Sequence, residues 1–273
     1  MMKIDGQTEV YGIIGNPVRH SLSPLIHNAA FAACGLNKAY LPFPALDAAA
    51  AVAALRALEI AGVSVTIPHK QAVMAALDDI DPVAAAIGAV NTIVRQDGRL
   101  HGYNTDWLGA NRALEAELAL AGASILVLGA GGSARAIGFG LKEAGARLTL
   151  ASRTPESGRQ LAAQLGCPWL PLAEAGDRQA DALVNATSVG MSPAADQSPL
   201  PAAALGNFPV VMDIVYSPLA TKLLQEARAA GCRTIDGLQM LLHQGAAQFE
   251  LWTGQQAPLE VMRESMLSGL NAT

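Results

Sequence analysis

Residues 124–144 constrain this chain more than any other stretch. Ser124–Leu128 (S-I-L-V-L) reads as a buried strand that runs directly into Gly129-Ala130-Gly131-Gly132-Ser133-Ala134, and then into a helix of small and apolar residues reaching Ala144. Gly129 and Gly131 can take backbone angles closed to other residues and carry no Cβ, so an anion can approach the main chain. The helix behind them turns its unpaired N–H groups and positive dipole end toward that anion. Ala134, in place of a third glycine, still lets helix and strand pack closely. The G-x-G-x-x-A spacing in a strand–turn–helix context predicts a dinucleotide-binding, doubly wound α/β domain.

The next strand, Arg147–Ala151, indicates which dinucleotide. A site for NAD places Asp or Glu near the end of this strand to accept from the ribose hydroxyls. Here that place holds Ser152-Arg153-Thr154, with no acid before Glu156. A guanidinium flanked by two hydroxyls suits a 2′-phosphate that a carboxylate would repel, so the expected cofactor is NADP rather than NAD.

Length and composition narrow the rest. A chain of 273 residues is expected to form two domains around sizeable cores. A net charge of −5 without a basic run or interleaved aromatics argues against a nucleic-acid partner. No apolar stretch has membrane-spanning character, and Met-Met-Lys-Ile-Asp lacks a signal-peptide core. Cys34, Cys167 and Cys232 are odd in number and far apart, which reads as reduced thiols of a cytoplasmic protein. No metal site is expected.

From Val10 to Tyr103 strands and helices alternate. Strands are expected at Val10–Ile14, Tyr40–Phe43 and Val63–Ile67. One helix opens at Ser23-Pro24, with Ser23 as N-cap and Pro24 at N1, and ends near Gly35. An alanine-rich helix runs from an Asp47 cap to Gly62. Asn91–Arg95 and Arg99–Tyr103 flank Asp97-Gly98, a hairpin signal. Residues 107–235 hold a connecting helix and the dinucleotide domain, with later strands at Ala182–Val184, Val210–Val215 and Arg233–Ile235. A helical stretch, Leu238–Leu270, closes the chain and is expected to return to the first domain. The domains expected are thus 1–106 plus 239–273, and 107–238.

Several polar residues of the first domain sit where a plain core would exclude them. Ser21 and Ser23 stand two apart at a strand-to-helix turn, where they either clamp a carboxylate or cap the helix. Lys70 follows Val65-Thr66-Ile67-Pro68-His69, projecting from the sheet edge where α/β proteins bind ligands. Asp106 ends Gly102-Tyr-Asn-Thr-Asp106 just before a helix, where a first-turn carboxylate is favoured whatever else it does.

Taken together these segments resemble the shikimate dehydrogenase family. The matching runs include Gly15-Asn-Pro, Val65-Thr-Ile-Pro-His-Lys70, Gly88-Ala-Val-Asn91-Thr92, Gly102-Tyr-Asn-Thr-Asp106 and Gly129-Ala-Gly-Gly. Asn185-Ala-Thr-Ser188-Val-Gly-Met191, Asp213-Ile-Val-Tyr216-Ser-Pro218 and Gly237-Leu-Gln-Met240-Leu-Leu-His-Gln244-Gly245 follow in the family's order.

The resemblance implies NADP-dependent, reversible reduction of 3-dehydroshikimate to shikimate, a step of aromatic amino acid biosynthesis, by a monomer or homodimer. It implies Lys70 and Asp106 as the catalytic pair, and Ser21 and Ser23 on the substrate carboxylate with Tyr216 nearby. Thr66, Asn91, Asp106 and Gln244 would meet the ring hydroxyls. Thr187, Met191, Gly237 and Met240 would join the glycine turn and Ser152–Thr154 at the cofactor. The chemistry agrees, since reducing a ketone needs a hydride on carbon and a proton on oxygen, and an ammonium can deliver the proton.

Ser64 departs from the family's usual Asn, which contacts substrate; Ser152 also replaces an Asn, and Ser157 stands where a second Arg is common. Ser64 leaves quinate or another cyclic hydroxy acid, with NAD, as an alternative, and Ser64→Asn is expected to lower KM for shikimate. A non-catalytic dinucleotide sensor is the reading from another class, against which the presence of both Lys70 and Asp106 counts.

Overall fold

A computed structural model of the chain describes residues 4–19 and 21–271. Residues 1–3, part of the segment read above for a signal-peptide core, lie outside the described residues. The chain forms two compact units, one of residues 1–105 with 244–273 and one of residues 106–243.

The first unit begins with β1 (Glu9–Gly15), α1 (Ser23–Ala33), β2 (Lys38–Pro44), α2 (Ala48–Ala57) and β3 (Gly62–Val65). It continues with β4 (Asp79–Ile80), α3 (Pro82–Ile87), β5 (Thr92–Gln96) and β6 (Arg99–Tyr103). These strands build one mixed sheet in the order β2-β1-β3-β5-β6-β4. β1 runs parallel to β2 and β3, whereas β5 is antiparallel to β3 and β6. Asp97 and Gly98, with φ of 51° and 75°, make the tight turn between β5 and β6 that their sequence predicts.

Two local expectations shift. α2 ends at Ala57 rather than Gly62. Glu59 turns left-handed, Ile60 N–H bonds back to Leu55 O, and Ala61 N–H is taken by Val10 O, so the sheet captures the chain before the alanine run can continue. Asp47 caps α2 as expected, accepting from Ala50 N–H at 2.7 Å. At α1 the N-cap position falls on Leu22, and Ser23 is the first helical residue. The Ser21 hydroxyl accepts from Ser23 N–H at 3.2 Å, so Ser21 takes the cap-like bond assigned above to Ser23.

β2 is an edge strand that carries Pro42 and Pro44. The Asn28 side chain from α1 bonds the Tyr40 backbone twice, accepting from its N–H at 2.8 Å and donating to its carbonyl at 2.9 Å. The Tyr40 N–H therefore points away from β1, and by the period of two so do the positions of Pro42 and Pro44 nitrogen.

The second unit holds α4 (Asp106–Glu115), β7 (Ser124–Leu128), α5 (Gly132–Glu143), β8 (Arg147–Ser152), α6 (Pro155–Leu165), β9 (Trp169–Pro171) and β10 (Ala182–Asn185). β11 (Val210–Asp213), α7 (Lys222–Ala229) and β12 (Arg233–Ile235) follow. Its sheet is all parallel, ordered β12-β11-β10-β7-β8-β9. Alternate β7 residues serve opposite cores: Ile125 and Val127 pack with Ile137, Leu141 and Leu161, while Leu126 and Leu128 pack with Leu205, Phe208 and Leu223. Burial on both faces is why this strand reads as a continuous apolar run, and it makes the unit a doubly wound α/β fold.

α8 (Gly237–Thr253) and α9 (Leu259–Asn271) end the chain, and the boundary between the units falls inside α8. Within the first unit Trp252 Nε1 donates to Ile93 O at 3.1 Å, and Ser265 Oγ to Leu25 O at 3.0 Å. Phe249 and Trp252 complete an aromatic cluster with Tyr11, Phe31, His27 and Tyr40. Among the described residues no helix is long and apolar enough to cross a membrane.

Candidate functional site

In the first unit the polar residues converge near the carboxyl ends of β1 and β3 and the start of β5. Ser21 is half-buried, and because its oxygen accepts from Ser23 N–H, its own proton remains to be donated elsewhere. Ser23 is buried at 3% exposure. Thr66 begins the loop after β3, its N–H held by Ile14 O at 3.0 Å. That loop is pinned at several points: His69 N–H bonds Thr66 O, the His69 Nε2 lies 2.7 Å from Ala45 O, and Val90 N–H bonds Lys70 O at 2.8 Å. Lys70 is thus half-buried on a backbone tied to two neighbouring segments.

Asn91, 2% exposed, is the hub of this region. Its Oδ1 accepts from Thr105 N–H at 2.8 Å and from Thr92 O–H at 2.7 Å. Its Nδ2 donates to Thr105 Oγ1 at 3.0 Å and reaches Gln244 Oε1 at 3.4 Å. Asn91, Thr105 and Gln244 are therefore brought together from just before β5, just after β6 and α8, although 153 positions separate Asn91 from Gln244.

Ser64, 5% exposed, faces a different set of partners. Its hydroxyl accepts from Tyr40 O–H at 2.6 Å and donates to Gln248 Oε1 at 2.8 Å. Gln248, Tyr40 and Thr92 carried no sequence signal as site residues. Gln248 offered one clue, being a glutamine one helical turn from Gln244 inside an apolar stretch, where an amide needs buried partners.

His27 stacks on Tyr40 with ring centroids 4.6 Å apart and is fully buried, with neither ring nitrogen hydrogen-bonded. Burial, offset in small part by the nearby Gln248 amide, pushes its pKa down to about 3, so the ring is neutral.

In the second unit Asp106 is the first residue of α4 and is 4% exposed, where the helix dipole favours a carboxylate. The glycine turn follows β7 at the switch point of the sheet, where β7 is flanked by β8 and β10. Gly129 has φ of 118°, where a side chain is strained, and a Cβ there would crowd Ala186 O at 3.0 Å. A Cβ on Gly131 would meet nothing within 4 Å, and α5 starts without a side-chain cap. Ala130, Gly132 and Ser133 are half-buried around this opening and Ala134 is fully buried beneath it. Uncapped N–H groups beside a side-chain-free turn fit a diphosphate.

Ser152, 5% exposed, is committed to structure: it donates to Thr154 O at 2.9 Å and accepts from Trp169 Nε1 at 3.0 Å. Arg153 and Thr154 are exposed, and Arg153 lines a cavity of about 930 Å³ with Pro155, Pro171, Pro201 and Asn207. The Thr187 hydroxyl donates to Asn185 Oδ1 at 2.7 Å and accepts from Val189 N–H at 3.1 Å, so it has no proton left for a ligand. Asn185 also donates to Asp213, whose carboxylate collects Val215 N–H and Thr221 O–H. Burial pushes the Asp213 pKa up to about 6 against those three donors. Tyr216 and Met191 are half-buried, and Gly237 and Met240 are buried at the start of α8. Among the described residues no group of three His, Cys, Asp or Glu is placed to hold a metal ion.

Comparison with known proteins places this arrangement. The profile of the shikimate dehydrogenase substrate binding domain matches residues 13–93, and that of the shikimate 5′-dehydrogenase C-terminal domain matches residues 237–267. The shikimate dehydrogenase (NADP(+)) of Moorella thermoacetica is 49% identical over 287 residues, covering 100% of this chain and 97% of that protein. Its counterpart in Methanothermobacter thermautotrophicus is 46% identical, covering 98% of this chain and 99% of that one. The solved shikimate 5-dehydrogenase of Thermus thermophilus, in complex with NADP(H) and shikimate, superposes with a TM-score of 0.87 at 40% identity, covering 96% of this chain and 100% of that chain. The chain belongs to the shikimate dehydrogenase family.

Proposed function

We propose that this chain is an NADP-dependent shikimate dehydrogenase that interconverts 3-dehydroshikimate and shikimate in the cytoplasm. The observation that carries the reading is the buried polar cluster of Asn91, Thr105 and Gln244, set on the same unit as the pinned Lys70. Buried amides arranged around one another suit a ligand rich in hydroxyl groups, and such a site rejects analogues that leave its donors unpaired. Residues 1–105 with 244–273 then form the substrate domain and residues 106–243 the dinucleotide domain.

Bound NADPH supplies the hydride. The chain's own residues manage the oxygen and the orientation. The Lys70 ammonium polarises the ring carbonyl and gives a proton to its oxygen as the alcohol forms, and in the reverse direction takes it back. Asp106 accepts a hydrogen bond from the neighbouring ring hydroxyl. Ser21, with its proton still available, and Ser23 donate to the substrate carboxylate, with Tyr216 beside it. Gly129–Ala134 takes the diphosphate and Arg153 the 2′-phosphate; Ser152 and Thr187 shape those loops through the bonds described above.

Initial rates with shikimate and with quinate, each with NADP and with NAD, test this directly. The highest kcat/KM is expected for shikimate with NADP. Failure to reduce NADP with shikimate would overturn the reading.

A further inference from the structure

We propose that Gln248 and Thr92 are positioning residues that fix which way the Asn91 and Gln244 amides face. The proposal rests on the shikimate reading above and names how that site holds its donors in register.

Two backbone groups settle the direction of every bond in the network. Thr105 N–H can only donate, so the Asn91 atom 2.8 Å from it is the amide oxygen. The Asn91 carbonyl can only accept, so the Gln248 atom 3.1 Å from it is the amide nitrogen. Gln248 Oε1 must then accept, which makes Ser64 the donor at 2.8 Å and leaves the Ser64 oxygen to accept from Tyr40 O–H at 2.6 Å. The second proton on Gln248 Nε2 goes to Thr92 Oγ1 at 2.9 Å. Thr92 is thereby left to donate, and its proton goes to Asn91 Oδ1 at 2.7 Å.

The Asn91 oxygen is held by two donors, so its NH2 turns toward Thr105 Oγ1 and Gln244 Oε1. Gln244 in turn has its oxygen toward Asn91 and its own NH2 at the far end of the amide. The chain Tyr40–Ser64–Gln248–Thr92–Asn91–Gln244 thus runs in one sense only. Reversing any amide would set acceptor against acceptor or donor against donor at a buried contact, which is costly. Gln244 and Gln248 lie one turn apart on α8, so the bonds from Gln248 to Asn91 and Thr92 also set the height of Gln244 beside Asn91.

Thr92→Val keeps the shape and removes the proton that holds Asn91; Thr92→Ser keeps the proton. Gln248→Met keeps length and removes the amide. Shikimate binding to the full chain is measured by calorimetry for wild type and the three variants, with initial rates of NADP reduction alongside. Kd and KM for shikimate are expected to rise about tenfold in Thr92→Val and Gln248→Met, while kcat stays within about twofold and KM for NADP does not move. Thr92→Ser is expected to bind as wild type does. Unchanged Kd in Thr92→Val, or a Thr92→Ser as weak as Thr92→Val, would overturn the positioning role, and Thr92→Val decides alone where Gln248→Met does not fold. A wild type that neither binds nor oxidises shikimate instead overturns the shikimate reading; an active wild type with unaffected variants overturns only the network.

Discussion

Ser64 and Gln248, 184 positions apart in the chain, meet across a 2.8 Å hydrogen bond in which the serine donates. With Tyr40 on its other side, Ser64 has no room for a larger amide. Ser64→Asn is therefore expected to raise KM for shikimate and to destabilise the fold by about 1–3 kcal/mol, as overpacked sites do. This is opposite in sign to the effect expected from sequence alone. Adding Gln248→Ala makes space for the asparagine, so a double-mutant cycle should show coupling of about 1 kcal/mol or more. Additive effects on thermal unfolding would mean that the two sites are independent.

Lys70→Ala is expected to lower kcat by about 10²-fold or more, the usual size for a lost proton donor. Lys70→Arg is expected to fail as well, because guanidinium does not release its proton near neutrality. Steady-state rates with shikimate and NADP check both, and near-normal turnover in Lys70→Ala would remove the residue from the mechanism.

Arg153 stands exposed at the rim of the cavity beyond β8. Arg153→Ala is expected to raise KM for NADP by the equivalent of about 1.5–3 kcal/mol and to leave KM for NAD nearly unchanged, since only one carries the 2′-phosphate. Equal effects on the two nucleotides would make the arginine structural.

His27 gives the fold an acid limit. Its pKa is depressed from 6.5 to about 3 by burial, so between those values the unfolded chain binds a proton that the folded chain refuses. Stability therefore falls as pH drops below about 6.5, by up to about 1.4 kcal/mol per pH unit from this group. Urea unfolding at several pH values should show a shallower acid slope for His27→Leu than for wild type. A slope unchanged by the substitution would shift the acid sensitivity to other groups.

What the sequence made legible was what depends on neighbours. The glycine turn at 129–134 and the Asp97-Gly98 hairpin are written in consecutive residues, and both appear as read. The end of α2 was not legible, because nothing within the alanine run announces that Ala61 will bond to Val10. β4 and β9, of two and three residues, exist through pairing with β6 and β8 and have no pattern of their own. Ser64 shows the same limit at the site: its neighbours on β3 suggested a ligand, while its bonding partners come from β2 and α8.

The rim of the first sheet has a further consequence. At Tyr40 the Asn28 side chain imitates one residue of a neighbouring strand, and at the next two outward positions prolines offer no donor at all. The opposite rim is β4, two residues long. A second chain arriving at either rim finds no ladder to continue, which is how natural sheets avoid growing by one another's edges. Any pairing of copies through the first sheet must therefore be made by side-chain surfaces, and that sheet stays finite however crowded its surroundings become.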